Sequence, residues 1–413
     1  MKHWEADNAN SDEAGHDPGS QPATPNERSA ANSVLTETQL AEARRYHRQQ
    51  LVCELTSRLV DFAVLAVLAI LLARPLDEWL AALPGLGNRW LRLAAMYLLL
   101  TGIHVTISFP FSIFSGHVLE HRFGLSRQSW AAWLWRYTKR QILSLVFGLL
   151  MVLGLYLIIS VTGRYWWLAG AGAFFLVSIV LGQLVPVLIL PLFYKITRLD
   201  DESLADRFRQ LADGTGLSIE GVYRMQLSDE TVKANAMLAG LGRTRRVILG
   251  DTLLDDFSGD EIAVVFAHEV GHHVRRHIMK LMALGVVFSI AGFSLCDRVL
   301  ALWVGQVDGS VPYAQLPVHA LPVMMLVIGV FSLVLEPLIN SVQRHFEREA
   351  DWYALRATQM VDAYRTAFAR LARRNKADPE PHPLEVFLFH SHPPIAARLA
   401  MADKFTPVRS TDR

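Results

Sequence analysis

The chain has 413 residues, 52% hydrophobic and 19% charged, with 40 Lys and Arg against 39 Asp and Glu. Soluble domains carry about 25% charged residues, so this composition points to a membrane protein. The near-zero net charge, with no basic stripe interleaved with aromatics, argues against a nucleic-acid partner, and two distant cysteines, Cys53 and Cys296, make neither a disulfide framework nor a thiolate metal site.

Residues 1–35 are polar, rich in Asn, Ser, Pro and Gly, and lack periodicity, which predicts a disordered tail. No apolar stretch near Met1 suggests a cleavable signal peptide. Residues 38–55 (TQLAEARRYHRQQLVCEL) read as a basic, helical lead-in. Six apolar segments follow, near 57–75, 91–113, 141–161, 166–194, 278–304 and 316–338. Each reaches or approaches the roughly 20 residues that cross the hydrocarbon. The expected organisation is therefore a four-span region (36–195), a soluble insert (196–277), a two-span hairpin (278–340) and a C-terminal soluble part (341–413). Arg44, Arg45 and Arg48 precede the first span, and Arg122, Arg127, Arg136, Lys139 and Arg140 follow the second. The insert is basic as well, whereas residues 305–315 hold no Lys or Arg. The positive-inside rule then puts both termini and the insert in the cytosol. The fold class is a mainly α, polytopic membrane bundle carrying a cytosolic α+β domain.

Within the insert, residues 200–217 predict an amphipathic helix. GVYRMQL (221–227), VKANAMLAG (232–240) and RRVILGDTLL (245–254) predict strands, the last two joined by the Gly-rich turn GLGRT (240–244). Ser258 and Glu261 form a capping box that starts the next helix.

That helix carries FAHEVGHHVRRH (266–277). His268 and His272 are four apart and share a face, so they can share one ion, with Glu269 beside that face. This is the HExxH arrangement of zinc peptidases. A catalytic zinc usually takes three protein ligands and keeps one position open. His273 and His277 are chemically able, but their helical angles turn them away. The stronger third donor follows the sixth span: Glu347 and Asp351 share a face, with Glu349 rotated off it by roughly 200°. Glu347 is the expected third ligand, and Asp351 the acceptor for the outer N–H of a zinc histidine. Ala350 would let the two helices approach closely. If the helices continue unbroken, His272 lies nine residues before Leu281 and Glu347 nine after Leu338. Both are then roughly 13 Å from the apolar boundary. In the resulting mechanism Glu269 takes the proton of the attacking water and hands it to the leaving amine.

The segments HEVGHH, EREADWYA and SHPPIAARL, with weaker support from HRFGLSRQ, PLFYK and ANAMLAGLGRTRRVILGDTLL, resemble the type I CAAX prenyl protease family of integral-membrane gluzincin zinc metalloproteases. The resemblance runs from about residue 55 to 405. It implies one Zn2+ per chain and a metalloendopeptidase acting on membrane-associated, hydrophobic or prenylated peptides at the cytosolic face. Glu347 matches the family's third ligand and Asp351 its supporting acid. Asn235 and Ala236 match the substrate-binding edge strand, and His392 a histidine at the active site that contacts the substrate carbonyl. Arg398 is expected to be a structural partner in the same region. Family members enclose a water-filled chamber, which Asp61, His104 and Glu336 could face. Eukaryotic members commonly have seven spans, against six here. The Ala/Arg/Leu-rich composition points to a bacterial homologue in the inner membrane, or to the endoplasmic reticulum if the host is eukaryotic. A heat-shock type of membrane quality-control protease is the alternative, though such enzymes usually lack a four-span N-terminal region. A transporter predicts repeated halves, which are absent, and a silent scaffold predicts loss of Glu269.

Overall fold

The structure, a computed structural model, describes residues 35–240, 245–308 and 313–407. The expected tail, most of the Gly-rich turn and the middle of the 305–315 connection lie outside them. Helix α1 (Glu37–Val67) passes through a π-helical turn into α2 (Ala73–Ala82). Then come α3 (Arg89–Ile113), α4 (Trp130–Thr162) and α5 (Trp166–Leu184). After the insert, α8 (His277–Asp308) and α9 (Ala320–Thr358) complete the apolar helices.

Among the described residues, five helical stretches are long and apolar enough to cross a membrane, and the third, Trp130–Phe193, has 64 residues. At 1.5 Å per residue such a rod would be about 96 Å long, three times a bilayer's apolar core. It folds back at Gly163, whose φ of 56° suits a residue without Cβ, and α4 then packs on α5. Among the described residues the passages therefore number six, four of them before the insert. Their shared core contains Leu93, Met96, Tyr156, Trp166, Leu300 and Met324. The ionisable groups among these helices find one another, as polar groups at membrane depth must. Arg58 Nη1 donates to Glu336 at 2.7 Å, and His104 lies 3.2 Å from Asp61.

The insert holds β1 (Ile196–Arg198), α6 (Glu202–Ala212), β2 (Gly221–Met225), β3 (Ala236–Ala239) and β4 (Arg246–Gly250). The sheet order is β1-β2-β4-β3; β2 and β4 are parallel, and the outer strands antiparallel. Strand β1 was not expected: three residues directly after a span give no periodic signal. The second predicted strand is shorter than its segment, because Ala234 is tied to Asn375 Oδ1 at 3.1 Å. Strand β3 is an edge. Gly250 N–H donates to Asn235 O at 2.9 Å, so the alternation of an antiparallel ladder faces Asn235 and Met237 toward β4. The main-chain groups of Ala236 and Leu238 are directed off the sheet.

Helix α7 (Gly259–Val274) begins as expected: Ser258 N donates to Glu261 Oε2 at 2.7 Å, and Glu261 N to Ser258 Oγ at 3.3 Å. It packs between two cores, against Phe208 and Leu249 on one side and Leu355, Tyr364 and Phe368 on the other. It does not run unbroken into α8. Arg276 takes φ 55° and α8 restarts at His277, so the equal spacing of His272 and Glu347 from the membrane does not rest on a continuous rod. What sets their level is direct packing of α7 on α9. Past α9, α10 (Val361–Asn375), α11 (Pro383–Phe389) and α12 (Ile395–Lys404) close over the site.

Candidate metal centre

Gly271 sets the distance between α7 and α9. A Cβ built on it would lie 3.0 Å from Ala350 Cα and 3.2 Å from Ala350 O. The contact is therefore backbone to backbone, with Ala350 fully buried. Sequence reasoning picked out Ala350 but passed over Gly271 in the variable part of HExxH. Replacing Gly271 by Ala favours the helix by about 1 kcal/mol, while overpacking against an unyielding backbone costs about 1–3 kcal/mol. The Gly271→Ala protein is expected to melt lower and to bind metal more weakly, by thermal unfolding and metal titration. A higher melting temperature with unchanged metal affinity would contradict this packing argument.

Across that contact three donor atoms converge. His272 Nε2 lies 3.1 Å from His268 Nε2, and each lies 3.3 Å from a Glu347 oxygen. His268 and Glu347 are buried, and His272 is half-buried. The outer nitrogens are engaged elsewhere, which leaves both Nε2 atoms for a common point. His268 Nδ1 lies 2.9 Å from Asp351 Oδ1. Asp351 in turn receives Arg398 through two bonds, Nε to Oδ2 at 2.9 Å and Nη2 to Oδ1 at 2.6 Å, and the guanidinium lies over the Phe368 ring. Burial alone would lower the Arg398 pKa, but the Asp351 carboxylate beside it raises it.

The outer nitrogen of His272 has a partner that the helical angles had set aside. Because α7 ends at Arg275–Arg276, the chain swings His277 back under the site. His277 Nδ1 lies 2.9 Å from His272 Nδ1, and its Nε2 lies 2.9 Å from Glu349 Oε2, with the ring stacked on Phe346. Glu349 thus serves the cluster from outside, consistent with its being turned off the Glu347 face. No helical-wheel argument finds this link, since it depends on a break. His273 faces away, toward Arg245.

The donors fit a divalent cation. Glu347 Oε2 is buried and accepts no hydrogen bond. His268 reports the same excess of negative charge. Burial pushes its pKa down, but the bond to Asp351 and the Glu347 carboxylate beside it outweigh that and raise it to about 9. Two imidazoles and a carboxylate, with room for a fourth ligand, form the donor set of a catalytic zinc site.

His268 and Glu347 lie in the wall of a cavity of about 520 Å³, also lined by Glu269, His392, Asn235 and Ala236. Glu269 is half-buried there. His392 Nε2 lies 3.4 Å from Glu347 Oε1, its Nδ1 2.9 Å from Ser391 Oγ, and its side chain is still 63% exposed. All nine residues singled out in the sequence thus lie in or around one cavity. Asp61, His104 and Glu336 lie apart from it, in the paired groups described above.

Comparison with known proteins agrees with a membrane bundle joined to a protease domain, although the N-terminal family model is described with five membrane helices against the four passages here. Residues 22–195 match the family model described as the CAAX prenyl protease N-terminal, five membrane helices, and residues 198–406 match that of peptidase family M48. The chain is 27% identical over 384 residues to an uncharacterized metalloprotease of Bacillus subtilis, YhfN, covering 90% of this chain and 87% of that one. It is 27% identical over 333 residues to CAAX prenyl protease 1 of Saccharomyces cerevisiae, covering 74% and 70%. The crystal structure of S. mikatae Ste24p shares the fold with a TM-score of 0.80, covering 91% of this chain and 94% of that one at 22% identity. The chain belongs to peptidase family M48, as an integral-membrane zinc metalloendopeptidase of the CAAX prenyl protease type.

Proposed function

We propose that His268, His272 and Glu347 hold one zinc ion, that Glu269 is the general base, and that the substrate is a hydrophobic or lipid-bearing peptide reached from the cytosolic face. The observation that carries this reading is the meeting of the two Nε2 atoms and Glu347 within 3.3 Å of one another, with His268 and Glu347 in the cavity wall that Glu269 also lines. The bound ion supplies Lewis acidity toward water and the scissile carbonyl. Each protein group has a separate task. Asp351 holds His268 with Nδ1 protonated, and the His277–Glu349 pair does the same for His272, so that both Nε2 lone pairs point at the ion. Glu269 accepts the proton of the attacking water and returns it to the leaving amine. His392 donates to the carbonyl oxygen as negative charge develops there. An extended peptide can pair with the outward main-chain groups of Ala236, adding a strand at the β3 edge.

His392→Ala is expected to lower kcat by about 10²–10³-fold, the usual effect of removing one oxyanion donor. KM should change little, since a ground-state carbonyl needs that donor less. An unchanged kcat would remove His392 from the reaction.

The membrane setting and the relatives' names support this substrate class and orientation. The basic insert and lead-in favour a cytosolic insert, and the Ala/Arg/Leu-rich composition favours a bacterial inner membrane. The deciding experiment incubates protein in lipid vesicles with a farnesylated C-terminal peptide, its unmodified form and a folded soluble protein, and reads cleavage by mass spectrometry. Cleavage of the lipid-bearing peptide that is absent with Glu269→Gln supports the reading. Preferential digestion of the folded protein overturns it. Tag accessibility that puts residues 200–270 outside the cytosol overturns the orientation.

A further inference from the structure

A second group of metal-binding side chains lies at the edge of the same cavity and shares no residue with the first. His47 of α1, Glu385 of α11 and His390, which ends that helix, bring two imidazole nitrogens and a carboxylate oxygen within 4.8 Å of one another. Among the described residues only this group and His268/His272/Glu347 do so. Both rings present Nε2, and both Nε2 atoms converge on the same oxygen, Glu385 Oε1: His390 at 3.0 Å, and His47 in a short contact. Three features separate it from a chance cluster on a solvated surface. All three residues are half-buried. His47 and His390 line the cavity, so a fourth position would open to its water. The backbone that carries Glu385 and His390 is held in place, since Arg344 Nη1 of α9 donates to Val386 O at 2.7 Å and to His390 O at 2.6 Å.

We propose that His47, Glu385 and His390 form a second site for a zinc-like divalent transition-metal ion, which straps the lead-in helix α1 to the loop carrying His392. Two neutral imidazoles and one carboxylate select such an ion over Mg2+ or Ca2+, which prefer all-oxygen shells. The sequence separation of His47 from His390 is what gives the site a consequence. Helix α1 enters from the N-terminal membrane region, whereas residues 390–392 belong to the last segment of the chain, and an ion joins the two at the cavity edge. His392 lies two residues beyond His390, so occupancy fixes the loop from which it reaches toward Glu347.

The test uses the full-length detergent-solubilised protein, free of any affinity tag, equilibrated with Zn2+ at tenfold excess and then desalted. Elemental analysis should find about two zinc ions per chain in the wild type and about one in His47→Gln and in His390→Gln. Gln keeps a side-chain donor for Glu385, so the hydrogen-bonded network survives while ligation is lost; circular dichroism confirms the fold. Co2+ added after the first equivalent of zinc should give visible d–d absorption in the wild type and none in either variant. His268→Ala separates this proposal from the assignment of the other centre: it should keep the ion that His47→Gln loses. If His268→Ala retains both ions, the first centre is misassigned and this one stands. One ion per chain in the wild type, or a second ion that persists in both Gln variants, overturns the second site.

Discussion

The Glu269→Gln protein is expected to keep its fold and its zinc and to lose turnover by about 10²–10⁴-fold. Glu269 follows His268 directly, so at 100° per residue its side chain is swung off the face that His268 and His272 share, and it lines the cavity rather than the donor cluster. The amide matches the carboxylate in volume and cannot take a proton from water. The residue is only half-buried, so the change strands no buried partner, and stability should move by no more than about 0.5 kcal/mol. Single-turnover hydrolysis, read beside metal content and thermal unfolding, separates the two effects. A wild-type rate would take Glu269 out of the mechanism. Loss of zinc together with activity would make it a ligand instead of a base.

The membrane architecture was legible because its signals are long. Six apolar runs each occupy enough residues to stand above chance, and the helices fall close to where the runs lie. What escaped was short or depended on tertiary contacts. Strand β1 has three residues and exists because β2 is there to pair with it. Asp251, fully buried, accepts bonds from the main chain of Leu227, Ser228 and Thr252 and from the Ser228 hydroxyl, tying the end of β4 to the loop after β2. A lone Asp beside a glycine gives no sign of that in sequence.

The site divides along a similar line. His268, His272, Glu347 and Asp351 follow i, i+4 spacing, and spacing is all that sequence offers, so they could be paired before any coordinates. Asn235, Ala236, His392 and Arg398 came only from the family resemblance, since nothing local marks an edge strand or a loop histidine. His277 is instructive: it stays out of the donor set, as its helical angle implied, yet it touches His272 in a way that angle did not. Its angle on a continuous helix points away from His272, but the left-handed turn at Arg276 resets the phase and brings its ring against His272 Nδ1. An Arg-Arg pair between two helical runs is a weak signal for such a break. Gly271 was equally silent, because its role is the absence of a side chain where α9 passes.

The largest loss of metal should come from Glu347. Purified Glu347→Ala and His272→Ala proteins are expected to carry little zinc, and Glu347→Gln to fall between them and wild type, since an amide oxygen is a weaker, uncharged donor. The electrostatics give the same result an independent reading in pH. The Asp351 bond and the neighbouring Glu347 carboxylate raise His268 to about 9 against the effect of burial, so near neutrality its ring carries a proton where a ligand must be neutral. Zinc has to displace that proton. Affinity should therefore rise with pH, by about tenfold per unit below the raised pKa for this one proton, and level off above it. Removing Glu347 takes away one of the two carboxylates that hold the proton, so the variant's weaker binding should also depend less on pH. Stability runs the opposite way in protein lacking zinc: a raised histidine pKa contributes to folding at pH values below the unfolded-state value and loses that contribution as pH rises through about 9. Elemental analysis of the variants and a zinc competition titration at several pH values measure both. Full occupancy in Glu347→Ala and His272→Ala would sink the ligand assignment. A pH-independent affinity in the wild type would instead mean that His268 is already neutral, and that Asp351 and Glu347 do not act on it as their distances imply.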